Sequence, residues 1–287
     1  MTQKSLRIAP AIAILLCAVF GQSGDVPPEL HVTALGNEGF LVEVGRSTVI
    51  VDGLYRGLRG YVAPTEQQRR ARERAEPPFD VVDLVLATHH HPDHFDAKVV
   101  ASHLDANPRA VIVTTPMAVE LMRGDAEQFH SISERVRSVF PVEGESEDLE
   151  IDRIYVEVLN LHHGRNRSLP AENLGFVVEM NGFSFLHIGD TMATAEELAA
   201  LGLSDREIDI AFVPYWHLLD ATGARRYLEA IGATTVVAMH LPAADAPPSY
   251  LDPASNLEDL IRMVEETAPG ILVFTDVMEE REIRTGD

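Results

Sequence analysis

Six consecutive residues, His89–His94, most constrain what this chain can fold into. They read His-His-His-Pro-Asp-His and follow the apolar run of residues 81–88, which predicts a buried strand. Because alternate side chains of extended backbone share one face, His89 and His91 can direct two imidazoles at one point. A histidine cluster on a surface loop is the alternative, but such a cluster would not need a buried strand before it.

Asp93 and His94 come after this strand, where the chain turns. Pro92 restricts His91 to extended backbone and stiffens the turn, so Asp93 and His94 can reach a second ion beside the first. Imidazole and carboxylate together suit zinc, with manganese or iron as alternatives. The six residues therefore predict a centre of two divalent metal ions.

The charge of the chain limits its partners. Over 287 residues the formal net charge is −22, which repels nucleic-acid phosphates and anionic membrane surfaces. We therefore expect a small-molecule substrate and no nucleic-acid partner, unless bound metals reverse the field locally. The length and the ordinary globular composition permit a large core.

The N-terminus has the pattern of an export signal. Lys4 and Arg7 precede the apolar stretch Ile8–Phe20, which is too short to span a membrane comfortably. We expect residues 1–24 to be removed and the mature protein to be periplasmic or secreted, without stable membrane association. An uncleaved anchor and lipidation of Cys17 are alternatives. Cys17 is the only cysteine, so the mature chain would have no disulfide and no thiol ligand.

Alternating strands and helices predict the fold class. The predicted strands are residues 30–35, 40–44, 47–52, 81–88, 110–114, 132–141, 151–161, 176–180, 183–188, 208–214, 234–239 and 271–275. The predicted helices are residues 66–76, 96–106, 118–123, 194–201, 221–231 and 255–266. We expect an acidic turn at residues 143–150, a type I′ turn at Asn181-Gly182, and helix caps at Thr194 and Ser255. Both halves place strands inside and helices outside, which predicts one α/β (α+β) domain, residues 29–287, built as a four-layer αββα sandwich.

The charged segment 66–76 allows two interpretations. It is read first as a solvated helix that joins two strands. The alternative is a lid over the site, in which Tyr55, Tyr61 and the arginines of the segment contact the substrate.

Three further strand ends supply additional ligands, which a two-metal centre needs. One strand ends in His162-His163-Gly164, another in Gly189-Asp190 and a third in His240. Each alone has an ordinary interpretation as a hydrogen-bonded surface residue or a turn. Together with His89–His94, and in this order, they favour a metal site.

This series of motifs resembles the metallo-β-lactamase-fold superfamily, and most closely its metal-dependent hydrolase branch with the L-ascorbate-6-phosphate lactonase-like proteins. Residues 35–42 and 49–52 are also similar to that branch. The resemblance implies these ligands: His89, His91 and His163 for one metal, Asp93, His94 and His240 for the second, and Asp190 bridging both. His163 is chosen over His162 because it directly precedes Gly164.

The resemblance implies hydrolysis of a small ester, lactone or phosphodiester by a hydroxide that two metal ions activate. Asp93 or Asp190 would orient the nucleophile and move its proton. Tyr215 and His217 flank the only tryptophan and are candidate substrate contacts, with simple packing as their alternative role. The alternative functions are a mono-iron persulfide dioxygenase-like oxygenase, a β-lactamase, and a binding protein that retained the fold.

Overall fold

Fourteen strands and eight α-helices form the fold within residues 29–164 and 171–283, which are the residues that this computed structural model describes. The strands are β1 (Leu30–Gly36), β2 (Gly39–Val44), β3 (Ser47–Val51), β4 (Leu84–Ala87), β5 (Val111–Thr114), β6 (Val136–Ser138), β7 (Ser146–Ile151), β8 (Ile154–Asn160), β9 (Leu174–Met180), β10 (Phe183–His187), β11 (Ile210–Pro214), β12 (Thr235–Met239), β13 (Leu272–Val273) and β14 (Glu280–Ile283). The helices are α1 (Glu66–Glu73), α2 (Ala97–Ala106), α3 (Pro116–Asp125), α4 (Phe129–Ile132), α5 (Ala195–Ala200), α6 (Ala221–Ile231), α7 (Pro248–Leu251) and α8 (Leu257–Thr267). No helix in the described ranges is both long and apolar enough to cross a membrane. The predicted export signal, residues 1–24, lies outside these ranges.

The strands form two seven-stranded sheets with the same plan. In the first sheet β1, β2 and β3 are antiparallel, and β4, β5 and β6 continue from β3 in parallel. In the second sheet β7 to β10 are antiparallel, and β11, β12 and β13 continue in parallel. Parallel neighbours need a crossover, which α2 provides between β4 and β5 and α6 between β11 and β12. The predicted α/β sandwich with two similar halves is confirmed.

The two sheets pack face to face through apolar side chains. Phe40 of β2 and Phe212 of β11 are buried, and their ring centroids lie 4.3 Å apart. Along β4, Leu84 and Leu86 belong to this core between the sheets, whereas Val85 belongs to a second buried cluster with α2. A strand covered by a sheet on one face and helices on the other is apolar on both. This arrangement accounts for the apolar run that precedes the histidines.

A buried arginine anchors α1 to the first sheet. Arg72 has no exposed surface, and its guanidinium donates to the backbone carbonyls of Gly53, at 3.0 Å, and Leu35, at 2.7 Å. These bonds satisfy carbonyls that water cannot reach. They favour the interpretation of residues 66–76 as a helix that joins two strands over the interpretation as a lid.

The stretch between the two sheets differs from the prediction. The strand expected at residues 132–141 is reduced to Val136–Ser138, because Ile132 closes the short helix α4 and residues 133–135 form a 3₁₀ turn. The acidic turn expected at residues 143–150 is also wrong, because most of it is strand β7. β7 is the exposed edge of the second sheet, where charged side chains face solvent and prevent pairing with other chains.

The C-terminal elements also differ in detail. The last predicted strand, residues 271–275, is reduced to Leu272–Val273, and the chain then crosses to the first sheet as β14, which the prediction lacks. The N-terminal cap of α8 is Asn256, whose side chain accepts from the backbone N–H of Asp259, and not Ser255. The cap predicted at Thr194 is confirmed.

The predicted turn at Asn181-Gly182 connects β9 to β10 and forms hydrogen bonds to the other sheet. Both residues have the positive φ that a type I′ turn requires, 51° and 84°. The side-chain amide of Asn181 donates to the carbonyl of Val44 at 2.6 Å and to the hydroxyl of Ser47 at 3.0 Å. A hairpin tip of the second sheet is thereby bonded to the β2–β3 hairpin of the first.

Candidate metal centre

The loop after β4 carries the cluster His89–His94. The backbone N–H groups of His94 and Phe95 both donate to the carbonyl of His91, at 3.0 and 2.9 Å, which closes a tight turn. The turn brings the ring of His94 to within 4.1 Å of the ring of His89, measured between centroids. The strand end and the turn are therefore placed as the sequence predicts.

A first group of three imidazoles, His89, His91 and His163, gathers on one side of Asp190. One ligand atom from each of these four residues lies within 4.8 Å of the others. The Nε2 atom of His163 is 3.1 Å from Oδ2 of Asp190, and the Nε2 atom of His89 is 3.8 Å from the same oxygen. We call His89, His91 and His163 the first group.

A second group, Asp93, His94 and His240, lies on the other side of Asp190. One ligand atom from each of its members lies within 4.8 Å of the others. Oδ1 of Asp190 is 3.5 Å from Nε2 of His94 and 3.3 Å from Nε2 of His240. The two oxygens of Asp190 therefore face the two groups separately.

Buried atoms without partners indicate what this arrangement could hold. Among the described residues, Nε2 of His89, Nε2 of His94 and Oδ1 of Asp190 are buried without any hydrogen-bond partner. Leaving such atoms unsatisfied costs free energy comparable to a lost hydrogen bond for each. Imidazole nitrogens and a carboxylate oxygen are ligands of divalent transition metals, so the residues present fit metal ions.

Asp52 and Thr88 orient His94 from behind. Oδ2 of Asp52 lies 2.9 Å from Nδ1 of His94, which leaves Nε2 directed at the site. Thr88 donates to Asp52 twice, through its backbone N–H at 2.8 Å and its hydroxyl at 2.6 Å. A carboxylate behind a histidine fixes its tautomer and ring orientation in metal sites. The sequence prediction missed Asp52, and the only local signal was an acidic residue at the end of an apolar strand.

A comparison with protein families agrees with this geometry. The sequence model of the Beta-lactamase superfamily domain matches residues 51–241, a range that contains both groups and Asp190. The chain belongs to the β-lactamase superfamily. The superfamily predicted from the motifs is therefore confirmed, while the narrower likeness to L-ascorbate-6-phosphate lactonase-like proteins stays a prediction.

Individual relatives extend this result. A UPF0173 metal-dependent hydrolase of Hyperthermus butylicus is 27% identical over 211 residues, which cover 73% of this chain and 82% of the relative. A UPF0173 metal-dependent hydrolase of Pyrococcus abyssi is 25% identical over 249 residues, which cover 85% and 96%. Igni18, a metallo hydrolase of Ignicoccus hospitalis, has a similar structure, with a TM-score of 0.59 at 18% identity over 90% of this chain and 100% of its own. The structural likeness supports the superfamily fold.

A cleft of about 360 Å³ opens onto the first group, the second group and Asp190. Its walls include Met192 and Trp216, which the sequence prediction did not place among the site residues, and Tyr61, which it named only in the lid alternative. The rings of Tyr61 and Trp216 lie 4.5 Å and 5.0 Å from the ring of His240, measured between centroids. Tyr61 is the one residue of the lid alternative that lines the cleft.

The predicted substrate contacts, Tyr215 and His217, are engaged elsewhere. The hydroxyl of Tyr215 donates to the carbonyl of Tyr250 at 3.2 Å. Nε2 of His217 lies 2.9 Å from the carbonyl of Thr191, and its ring stacks on Tyr227 with centroids 4.1 Å apart. Neither residue lines the cleft, so the alternative role of packing describes both better.

His162 and His163 take different partners. Nε2 of His162 lies 3.4 Å from Oε2 of Glu197, and Nδ1 of His162 accepts from the backbone N–H of Gly164 at 3.3 Å. Only His163 reaches Asp190. The geometry supports the choice of His163 as the ligand.

The two groups differ in the charge that their imidazoles carry without metal. Burial lowers the pKa of His91 to about 4. Burial acts against charge on His240 as well, but Asp190 and Glu38 outweigh it and raise the pKa of His240 to about 10. The same balance raises the pKa of His94 well above its usual value. At neutral pH the metal-free protein therefore has a neutral His91 and a protonated His240.

We expect His163→Ala to lower the amount of metal bound per chain and His162→Ala to leave it unchanged. The two variants remove the same side chain from adjacent positions, so each is the matched control for the other. Elemental analysis of the purified proteins measures the difference. The choice of His163 is wrong if His163→Ala retains full metal content and His162→Ala does not.

Metal binding at the second group should release protons and strengthen as the pH rises. A metal ion competes with the proton for an imidazole nitrogen, and His240 holds its proton up to a pKa of about 10. The first group should show little such dependence at neutral pH, because His91 is already neutral above pH about 4. Calorimetric zinc titration in buffers with different ionisation enthalpies counts the released protons. A count of zero at pH 7 would contradict the expectation, and His240→Asn should reduce the count.

Proposed function

We propose that this chain is a metal-dependent hydrolase whose centre holds two divalent ions. The first group would hold one ion, the second group the other, and Asp190 would bind both. The observation that carries the proposal is the position of Asp190, whose Oδ2 faces His163 while its Oδ1 faces His240. The UPF0173 metal-dependent hydrolases that resemble the chain support the same class of activity. The first group, with three imidazoles and one carboxylate, suits zinc.

Divalent ions bound in this way lower the pKa of a water and polarise a substrate carbonyl. Asp93 would orient this water and accept its proton. Oδ2 of Asp93 lies 3.5 Å from Nε2 of His240. Burial alone would raise the pKa of Asp93, but contacts with His240 and His94 hold this pKa below its usual value. The side-chain amide of Asn37 steadies Asp93 by donating to its backbone carbonyl at 3.3 Å. Asp93 is therefore anionic at neutral pH, as a general base must be.

The walls of the cleft favour a small neutral carbonyl substrate, an ester or a lactone, over a phosphodiester. Tyr61, Met192 and Trp216 present aromatic and apolar surface, and no described residue that lines the cleft carries a lysine or arginine charge. Phosphate recognition ordinarily uses such cations. We expect the hydroxyl of Tyr61, which lines the cleft, to donate to a substrate oxygen. A small-molecule substrate also agrees with the net charge of −22, which disfavours nucleic acid.

Exhaustive chelation should abolish hydrolysis, and return of zinc or manganese should restore it. The assay uses a panel of esters, lactones, thioesters, phosphodiesters and β-lactams with defined metal content, and we expect the fastest turnover on an ester or a lactone. Asp190→Asn should lose activity, while His31→Ala on β1, outside both groups, serves as the control. Turnover by a verified metal-free sample would refute the proposal. Iron near one per chain together with oxygen uptake would favour the oxygenase.

We also propose that the protein acts after export, in the periplasm or outside the cell. The support is the charged and then apolar pattern of residues 1–24. The full chain, expressed in a bacterium that exports proteins, should appear outside the cytoplasm with an N-terminus near residue 25, as mass spectrometry of the fractions would show. Recovery of the intact N-terminus in the cytoplasmic fraction would contradict this.

A further inference from the structure

Glu38 is a buried carboxylate next to the metal centre that no part of the proposed chemistry uses. It lies in the turn between β1 and β2 and has no exposed surface. Neither of its carboxylate oxygens has a hydrogen-bond partner among the described residues. A buried carboxylate without donors is costly unless a positive charge compensates it. The surroundings of Glu38 therefore require an explanation.

The neighbouring side chains supply part of that compensation, because Glu38 helps to keep His94 and His240 protonated without metal, but they donate no hydrogen bond to its carboxylate. Oε2 of Glu38 is 3.5 Å from Nδ1 of His94, but this nitrogen is already bonded to Asp52 at 2.9 Å. His187 binds the backbone carbonyl of Glu38 at 3.0 Å and not its side chain. The fold thus fixes the backbone of Glu38 and leaves its carboxylate beside His94 without a hydrogen bond from any described residue.

The position of the carboxylate suits a metal ligand. One oxygen of Glu38, one nitrogen of His94 and one oxygen of Asp190 lie within 4.8 Å of one another. Ligand atoms about 2 Å from a common ion are separated by up to about 4 Å, which is close to this spread. His94 belongs to the second group, and Oδ1 of Asp190 faces that group.

We propose that Glu38 supplies a further carboxylate oxygen to the ion held by the second group, from the buried side of the centre. The inference rests on the two-metal centre proposed above. With Asp93, Asp190 and Glu38, this position would offer three carboxylates beside two imidazoles, whereas the first group offers three imidazoles and one carboxylate. Oxygen-rich sites suit manganese or iron and nitrogen-rich tetrahedral sites suit zinc. The centre would therefore prefer two different metals, zinc in the first position and manganese or iron in the second.

The test is a manganese titration of the full-length protein loaded with one zinc per chain, followed by electron paramagnetic resonance. Glu38→Gln should weaken manganese binding by roughly 10- to 100-fold, the range reported for losing a supporting group at a metal site, and leave zinc binding at the first position unchanged. Glu43→Gln, a half-buried glutamate on β2, is the matched control and should change neither. In the cobalt-substituted protein, Glu38→Gln should also strengthen the visible absorption, because losing a ligand lowers the coordination number.

Glu38→Asp covers the case in which Glu38→Gln does not fold. It keeps the charge but withdraws the oxygen by one methylene, so manganese binding should weaken by a similar factor in a folded protein. Unchanged manganese affinity and cobalt spectrum in either folded variant would overturn the inference while leaving the two-metal hydrolase intact. Failure of the unmodified protein to bind a second ion would instead overturn the two-metal centre itself.

Discussion

The carboxylate of Asp190 is the contact on which the rest of the candidate site depends, because both groups of potential ligands combine residues of the two sheets. His89 and His94 come from the first sheet, while Asp190 and His240 come from the second. Gly189 permits this position: its φ is 55°, and a β-carbon there would lie 2.4 Å from the side-chain oxygen of Asn173. That same oxygen accepts the backbone N–H of Asp190 at 3.1 Å. Gly189 and the buried Asn173 thus fix the position of Asp190 between residues of the two sheets.

Concentrated buried charge couples this centre to the stability of the fold. Glu38, Asp52 and Asp190 are all buried around His94. Removing several charges from water is costly, and their mutual repulsion adds to the cost unless cations are present. An ion that binds only the folded chain stabilises it in proportion to the logarithm of its concentration relative to its dissociation constant. Metal supply would therefore govern how much of the protein is folded as well as how much is active.

The candidate site residues that could be predicted from the sequence are those that directly follow a recognisable apolar strand. His89–His94, Asp190 and His240 follow apolar runs directly, so their place at strand ends could be read from neighbouring residues. Glu38 could not be found in this way, because it is a single acidic residue in a turn and its burial depends on strands brought together by the whole sheet. Asp52 does follow an apolar strand, but one acidic residue at a strand end is too common a pattern to indicate a role behind His94. The same limit applies to β7, where edge position and not composition decides the conformation.

The predicted substrate contacts, Tyr215 and His217, show a second limit of sequence-based prediction. Within a single helical turn, the sequence does not reveal which side chain faces the cleft. Tyr215, Trp216 and His217 lie in a 3₁₀ turn, where successive side chains point about 120° apart. Of the three, Trp216 lines the cleft, while Tyr215 is bonded to Tyr250 and His217 to Thr191. The sequence placed the right segment at the site, but the choice among its three side chains depends on a rotation that no periodicity reveals over so short a stretch.

The return of the chain to its starting sheet has a consequence for biosynthesis. Strand β14 pairs with β1, with Leu30 opposite Ile283, so the first sheet is completed only by the end of the described chain. The strand that covers this edge is therefore synthesised after all the other described strands. Contacts between residues so distant in sequence slow folding, and an open sheet edge invites association with other chains during that delay. Under the export proposed above, a long interval without a finished first sheet would help to keep the chain unfolded until it has crossed the membrane.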